Sequence, residues 1–120
     1  MTDTSHGPGP GYIVVEMTIH DPQRFKEYTA LSAPSVRAAG GRYIVAGSEP
    51  ELLEGEHRPQ RMVVVEFPTA AQARAFYHSA AYQAARQKRR GAADFRMLLL
   101  EGVAHPGSLD AAAGSTLPRT

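Results

Sequence analysis

One stretch, Tyr77 to Glu101, restricts the fold more than any other. It reads as the end of a helix, a break with its own cap, a second helical piece ending in cations, and a strand with two unlike faces. Ala73, Phe76, Tyr77 and Ala80 fall at helical spacing behind Thr69-Ala-Ala-Gln72, which fits a capping box. Ser79 can recap the chain for the piece that runs through Arg89, and Gly91 stops it. Asp94 to Glu101 then alternates, with Phe95, Met97 and Leu99 opposite Arg96, Leu98 and Leu100.

Upstream, Tyr12 to Ile19 predicts a strand with Ile13, Val15, Met17 and Ile19 on one face and Tyr12, Val14, Glu16 and Thr18 on the other. Asp21-Pro22 starts a helix, Asp21 as N-cap and Pro22 at the first helical position. Phe25, Tyr28 and Leu31 follow at roughly helical spacing. Pro34 is expected to interrupt or kink the helix, Val36 and Ala39 continue its apolar side, and Gly40-Gly41 ends it. Arg42 to Ala46 predicts a second strand, Tyr43 and Val45 on one face and Arg42, Ile44 and Ala46 on the other. Gly47 to Gln60 reads as a solvated connection or an extended hairpin. Arg61 to Phe67 gives the third strand, with Arg61, Val63, Val65 and Phe67 opposite Met62, Val64 and Glu66.

The order strand, helix, strand, strand, helix, strand is the ferredoxin-like arrangement: an α+β fold with a four-stranded antiparallel sheet and helices on one face. Right-handed crossovers are expected to set the first and third strands side by side and parallel, with the second and fourth at the edges. The helices then cover the face built on Ile13, Val15, Met17, Ile19, Val63, Val65, Phe67, Phe95, Met97 and Leu99. The other face mixes Tyr12, Glu16, Arg42, Glu66 and Arg96 with Val14, Ile44, Met62, Val64, Leu98 and Leu100, too apolar for water and too charged for a plain core. A second copy of the sheet under two-fold symmetry satisfies such a surface and leaves a partly polar cavity between the two. Residues 1–11 read as a flexible arm, 12–102 as the domain, and 103–120 as a flexible tail of Ala, Gly, Ser, Pro and Thr.

Thirteen Lys and Arg against twelve Asp and Glu leave a net charge of +1, which draws the chain to neither nucleic acid nor an anionic membrane. The apolar runs are strand-sized, far short of the roughly 20 residues of a membrane helix, and the first residues are no signal peptide. A soluble, cytoplasmic protein is expected. With no cysteine there is no thiol nucleophile or thiolate metal site. The five histidines, His6, His20, His57, His78 and His105, make no i, i+4 pair and no cluster with carboxylates, so no metal is expected.

Gly40-Gly41-Arg42-Tyr43, Leu53-Glu54-Gly55, Pro59-Gln60-Arg61, Glu66-Phe67-Pro68, Ala75 to Gln83 and Arg96-Met97 together resemble family 1330 of the domains of unknown function, within the dimeric α+β-barrel superfamily. The resemblance spans about Tyr12 to Gly102. It implies the fold and a homodimer, and no established reaction. Where the family commonly has Pro after the serine this chain has Ala80, and where it often has Trp this chain has His57. Related barrels that degrade haem carry an iron-ligating histidine in the second helical segment. If the Ser79-x-x-Tyr82 turn is used to align them, that position falls on Arg86, so no haem, and no other cofactor, is expected.

Glu16 and Glu66 form the most suggestive pair, mid-strand and on the same face. Burial between sheets raises a carboxylate pKa and suits it to proton transfer, and Arg42 or Arg96 can hold a substrate anion or neutralise the carboxylate. The plainer alternative is a Glu/Arg set that locks a dimer seam. His78 and Ser79 with Tyr82 look like base and nucleophile, yet Ser79 is explained as an N-cap, which leaves His78 as an acid or base at a cavity mouth. Tyr12, Tyr28 and Tyr82 are candidate ligand contacts, Tyr28 equally a core aromatic. Arg86, Lys88, Arg89 and Arg90 complement the dipole of a helix end. The expected function is small-molecule binding, with proton-transfer catalysis without a cofactor (isomerisation, cyclisation or decarboxylation) on a small organic acid or polyketide-like compound. The competing expectation is a non-catalytic binding or scaffold dimer.

Overall fold

The computed structural model describes residues 8–104. The outer parts of both expected tails, with His6 and His105, lie outside them. Seven elements follow in order: β1 (Gly11–Ile19), α1 (Pro22–Ala38), β2 (Arg42–Ser48), β3 (Arg61–Phe67), α2 (Ala70–His78), α3 (Ala80–Lys88) and β4 (Ala93–Glu101). Each helix starts on the residue its sequence marks. Asp21 Oδ1 accepts from Arg24 N at 3.1 Å, Thr69 Oγ1 from Gln72 N at 3.1 Å, and Ser79 Oγ from Tyr82 N at 3.2 Å. Ser79 Oγ also donates to Phe76 O at 2.7 Å, so one hydroxyl closes α2 and opens α3. Gly40 ends α1 at φ +86, a left-handed conformation that glycine adopts without strain.

The sheet order is β2-β3-β1-β4, and every neighbouring pair is antiparallel. The expected parallel pairing of β1 with β3 is therefore corrected. Each helical crossover returns the chain in its original direction but skips one strand, so the parallel partners are β1 with β2 and β3 with β4, never adjacent. The core forms where expected, on Ile13, Val15, Met17, Val65 and Phe67 beneath Phe76, Tyr82 and Ala85.

Three local expectations change. Tyr43 pairs with Val65 but Val45 pairs with Val64, so a bulge at Ile44 reverses the alternation and brings Ala46, opposite Val63, to the helix side. Leu31 is 44% exposed, because the stripe that α1 turns inward is Tyr28, Ser32, Ser35 and Val36. The helix runs through Pro34 unbroken. Pro34 and the residue four back, Ala30, are both exposed, so the carbonyl that lost its donor lies where solvent can reach it. No helix among the described residues is long and apolar enough to cross a membrane.

Candidate functional site

The small side chains of α1 open a space. Thr29, Ser32 and Ala33, which α1 turns toward this space, are too short to fill it. The helix leans on α3 instead. A cavity of about 370 Å³ remains between α1 and the sheet, walled by Ile13, Val15, Val63, Val65 and Met97 and reaching Tyr43, Ala46 and Arg61 at the β2 side. Two phenols meet at its inner end: Tyr28 Oη and Tyr82 Oη are 3.0 Å apart, and Tyr82 Oη donates to Met97 Sδ at 3.5 Å. Their rings cross edge to face at 6.2 Å, and Tyr82 also rests on Phe76 at 4.8 Å. Burial, then the neighbouring Tyr82, pushes the Tyr28 hydroxyl far above the usual phenol range. Burial also raises Tyr43, and a Ser32 hydroxyl contact works the other way on both. The Tyr28 and Tyr43 hydroxyls therefore stay protonated.

The charged candidates occupy the opposite face. Sheet register sets Tyr12, Glu66 and Arg42 in one row across β1, β3 and β2. Arg42 Nε donates to Glu66 Oε1 at 2.7 Å and Tyr12 Oη to Glu66 Oε2 at 3.0 Å. Glu16 stands opposite Arg96, whose Nη2 donates to Glu16 Oε2 at 2.8 Å, while His57 Nε2 lies 2.9 Å from Glu16 Oε1. Arg42 first and then Tyr12 hold the Glu66 carboxyl below the ordinary range, and Arg96 first and then His57 do the same for Glu16. The hydrogen bond to Glu66 raises Tyr12 in return. Four residues of β1 separate the two rows, about 13 Å at the usual rise of a strand. The two carboxylates thus share a face without sharing a site.

Of the residues singled out in the sequence, Tyr28 and Tyr82 line the cavity, Glu66, Arg42 and Tyr12 make one ionic row, and Glu16 and Arg96 another. His78 lies apart, in a groove behind α2. Sequence reasoning missed Ser32, Tyr43, Arg61 and Met97 around the cavity and His57 beside Glu16. A signal existed for Ser32 alone, as a small polar residue one turn after Tyr28. Among the described residues no three His, Asp or Glu side chains gather as a metal would need.

The fold and the cavity define a ferredoxin-like α+β protein with a pocket between helices and sheet. Residues 10–103 match the family model described as "Domain of unknown function (DUF1330)", and the chain belongs to that family. No curated protein matches it in sequence. A protein of unknown function from Rhodopseudomonas palustris is 20% identical with a TM-score of 0.64, the match covering 80% of this chain and 84% of that one. SnoaB of Streptomyces nogalater, described as a cofactor-independent oxygenase, is 14% identical with a TM-score of 0.55 over 78% of this chain and 93% of its own. A dimeric ferredoxin-like protein of unknown function from Thermobifida fusca is 17% identical with a TM-score of 0.55 over 80% and 93%. At such identities the likeness is one of fold.

Proposed function

We propose that this chain is a homodimer that binds a small, mainly apolar molecule, an aromatic or polyketide-like compound with a carbonyl or hydroxyl oxygen, in the cavity between α1 and the sheet. The observation that carries this is the Tyr28–Tyr82 hydroxyl pair, 3.0 Å apart, at the end of an otherwise greasy space of about 370 Å³. A concave apolar pocket with few convergent polar groups is the usual form of a small-molecule site. Because burial keeps Tyr28 protonated, its hydroxyl can turn from Tyr82 to donate to a ligand oxygen and stabilise charge that develops there. An enolate left by decarboxylation needs that stabilisation and no base, which suits a cavity lined by no carboxylate or histidine among the described residues. The likeness in fold to a cofactor-independent oxygenase supports chemistry of this kind.

In this scheme Glu16, Glu66, Arg42 and Arg96 belong to the seam between two copies. Each carboxylate is already paired within its own chain, while Ile44, Leu98 and Leu100 stand 45%, 45% and 53% exposed beside them. A neighbour of the same fold described as dimeric supports a second copy over this face. A thermal-shift screen of hydroxylated aromatics and polyketide-like phenols tests the site. Wild type should gain several degrees from some members, since a ligand stabilises the folded state by mass action. Ala46→Phe, which places a ring in the cavity, should abolish the gain. A shift of equal size in Ala46→Phe, or none with any compound, would overturn the reading.

A further inference from the structure

A second concavity of about 450 Å³ lies behind the first, between α2, α3 and the edge strand β4. Its floor is apolar, made by Phe95, Met97 and Leu99, and its rim holds Arg74, Arg86, Arg89 and His78. Among the described residues, none of the three arginines is in a salt bridge and no carboxylate lines the groove. Arg89 stands out. Its Nε is buried and without an acceptor, the sole such side-chain atom found among the described residues. Its guanidinium lies 4.1 Å above the Phe95 ring centre and 5.7 Å from that of Tyr28, and its Nη2 reaches only the weak acceptor Met97 Sδ, 3.8 Å away. Stacking on Phe95 fixes the plane of the fork, so the guanidinium is oriented before any ligand arrives.

Two of these arginines belong to the basic run at the end of α3. The helix dipole explains why cations are tolerated there. It does not explain why Arg89 folds inward over an aromatic ring and leaves a donor unmet. An anion in the groove does, and the apolar floor calls for an apolar body attached to it.

We propose that the groove between α2, α3 and β4 binds an organic anion, an apolar chain or ring ending in a carboxylate, with the carboxylate held by Arg89 and the rim cations Arg74 and Arg86. The site is separate from the cavity of the preceding section, although Ile13, Phe95 and Met97 form a common wall.

Titration calorimetry on the full chain with octanoate tests this, with 1-octanol, acetate and inorganic phosphate as the matched lures. Octanoate should bind at least tenfold more tightly than each of the three, because only it supplies both charge and chain. The double variant Arg74→Gln/Arg86→Gln, confined to the rim, should weaken octanoate at least tenfold. Lys88→Gln, on the same helix but outside the groove, should change it less than twofold. Arg89→Lys keeps the charge but loses the fork, and should weaken binding as well. Ala46→Phe should leave the affinity within twofold, which separates this site from the cavity. Equal binding of octanol, an unaffected rim variant, or loss of binding in Ala46→Phe would each overturn the proposal.

Discussion

A double-mutant cycle on Tyr28 and Tyr82 tests whether the two phenols act as one unit. Tyr28 is 7% exposed and Tyr82 1%, so neither hydroxyl can fall back on bulk water. Tyr28→Phe removes the better partner of Tyr82 and leaves that hydroxyl with Met97 Sδ at 3.5 Å, a weak acceptor. An orphaned buried hydroxyl costs about 1–3 kcal/mol, and a net hydrogen bond contributes about 0.5–1.5 kcal/mol, so we expect Tyr28→Phe to cost about 2 kcal/mol. Tyr82→Phe should cost less, about 1 kcal/mol, because the Ser32 hydroxyl remains beside Tyr28. The double variant leaves no orphan and should cost less than the sum of the singles by about 1 kcal/mol. Urea denaturation at one fixed protein concentration measures each term, with m unchanged, and 1 kcal/mol corresponds to roughly 4 °C in Tm for a chain of this size. Additivity within about 0.3 kcal/mol, or the opposite ranking of the singles, would refute a coupled pair at the inner end of the cavity.

Acid should act through the two ionic rows. The folded pKa values of Glu16 and Glu66 lie below the ordinary carboxylate value, so the unfolded chain takes up protons first as pH falls. Their stabilisation is complete above roughly pH 4.3 and is lost progressively below it. Glu16→Gln and Glu66→Gln should flatten the stability profile below that pH, and an unchanged slope would remove the pairs from the account. Ser79→Ala takes away both the cap of α3 and the hydroxyl contact to Phe76, and should lower stability by about 1–2 kcal/mol by chemical denaturation, whereas Ser79→Asn should recover part of the loss. Gly11→Ala should cost about 1–3 kcal/mol, because a Cβ there would meet the Ala70 backbone 2.5 Å away at the start of α2, and neither backbone can yield cheaply. A Tm equal to wild type would show that α2 does not sit that close to β1.

Where a cap or a strand alternation carries the rule, the structure follows it, whereas α1 runs through Pro34. Asp21, Thr69 and Ser79 cap because a short side-chain oxygen can meet amides that a first helical turn leaves free, and no distant residue takes part. The faces of β1, β3 and β4 follow strict alternation for the same reason. What escaped is what alternation cannot encode. The bulge at Ile44 adds one residue to β2 with no glycine or proline to mark it, and that single addition moved Val45 and Ala46 to the faces opposite those expected.

The cavity escaped for a related reason: it is space that side chains fail to fill. Polar residues drew attention to the ionic face, because Glu and Arg on strands are conspicuous, while Thr29, Ser32 and Ala33 on α1 look unremarkable in a row of letters. Their small size leaves the space between α1 and the sheet unfilled, and the lean of α1 on α3 sets Tyr28 against Tyr82. Replacing Ser32 and Ala33 by leucines would by the same logic fill the space, raise the packing of α1 and close the site. The chain instead keeps two small residues where a stable core asks for large ones. That choice is the physical signature of a protein whose fold leaves room for something else.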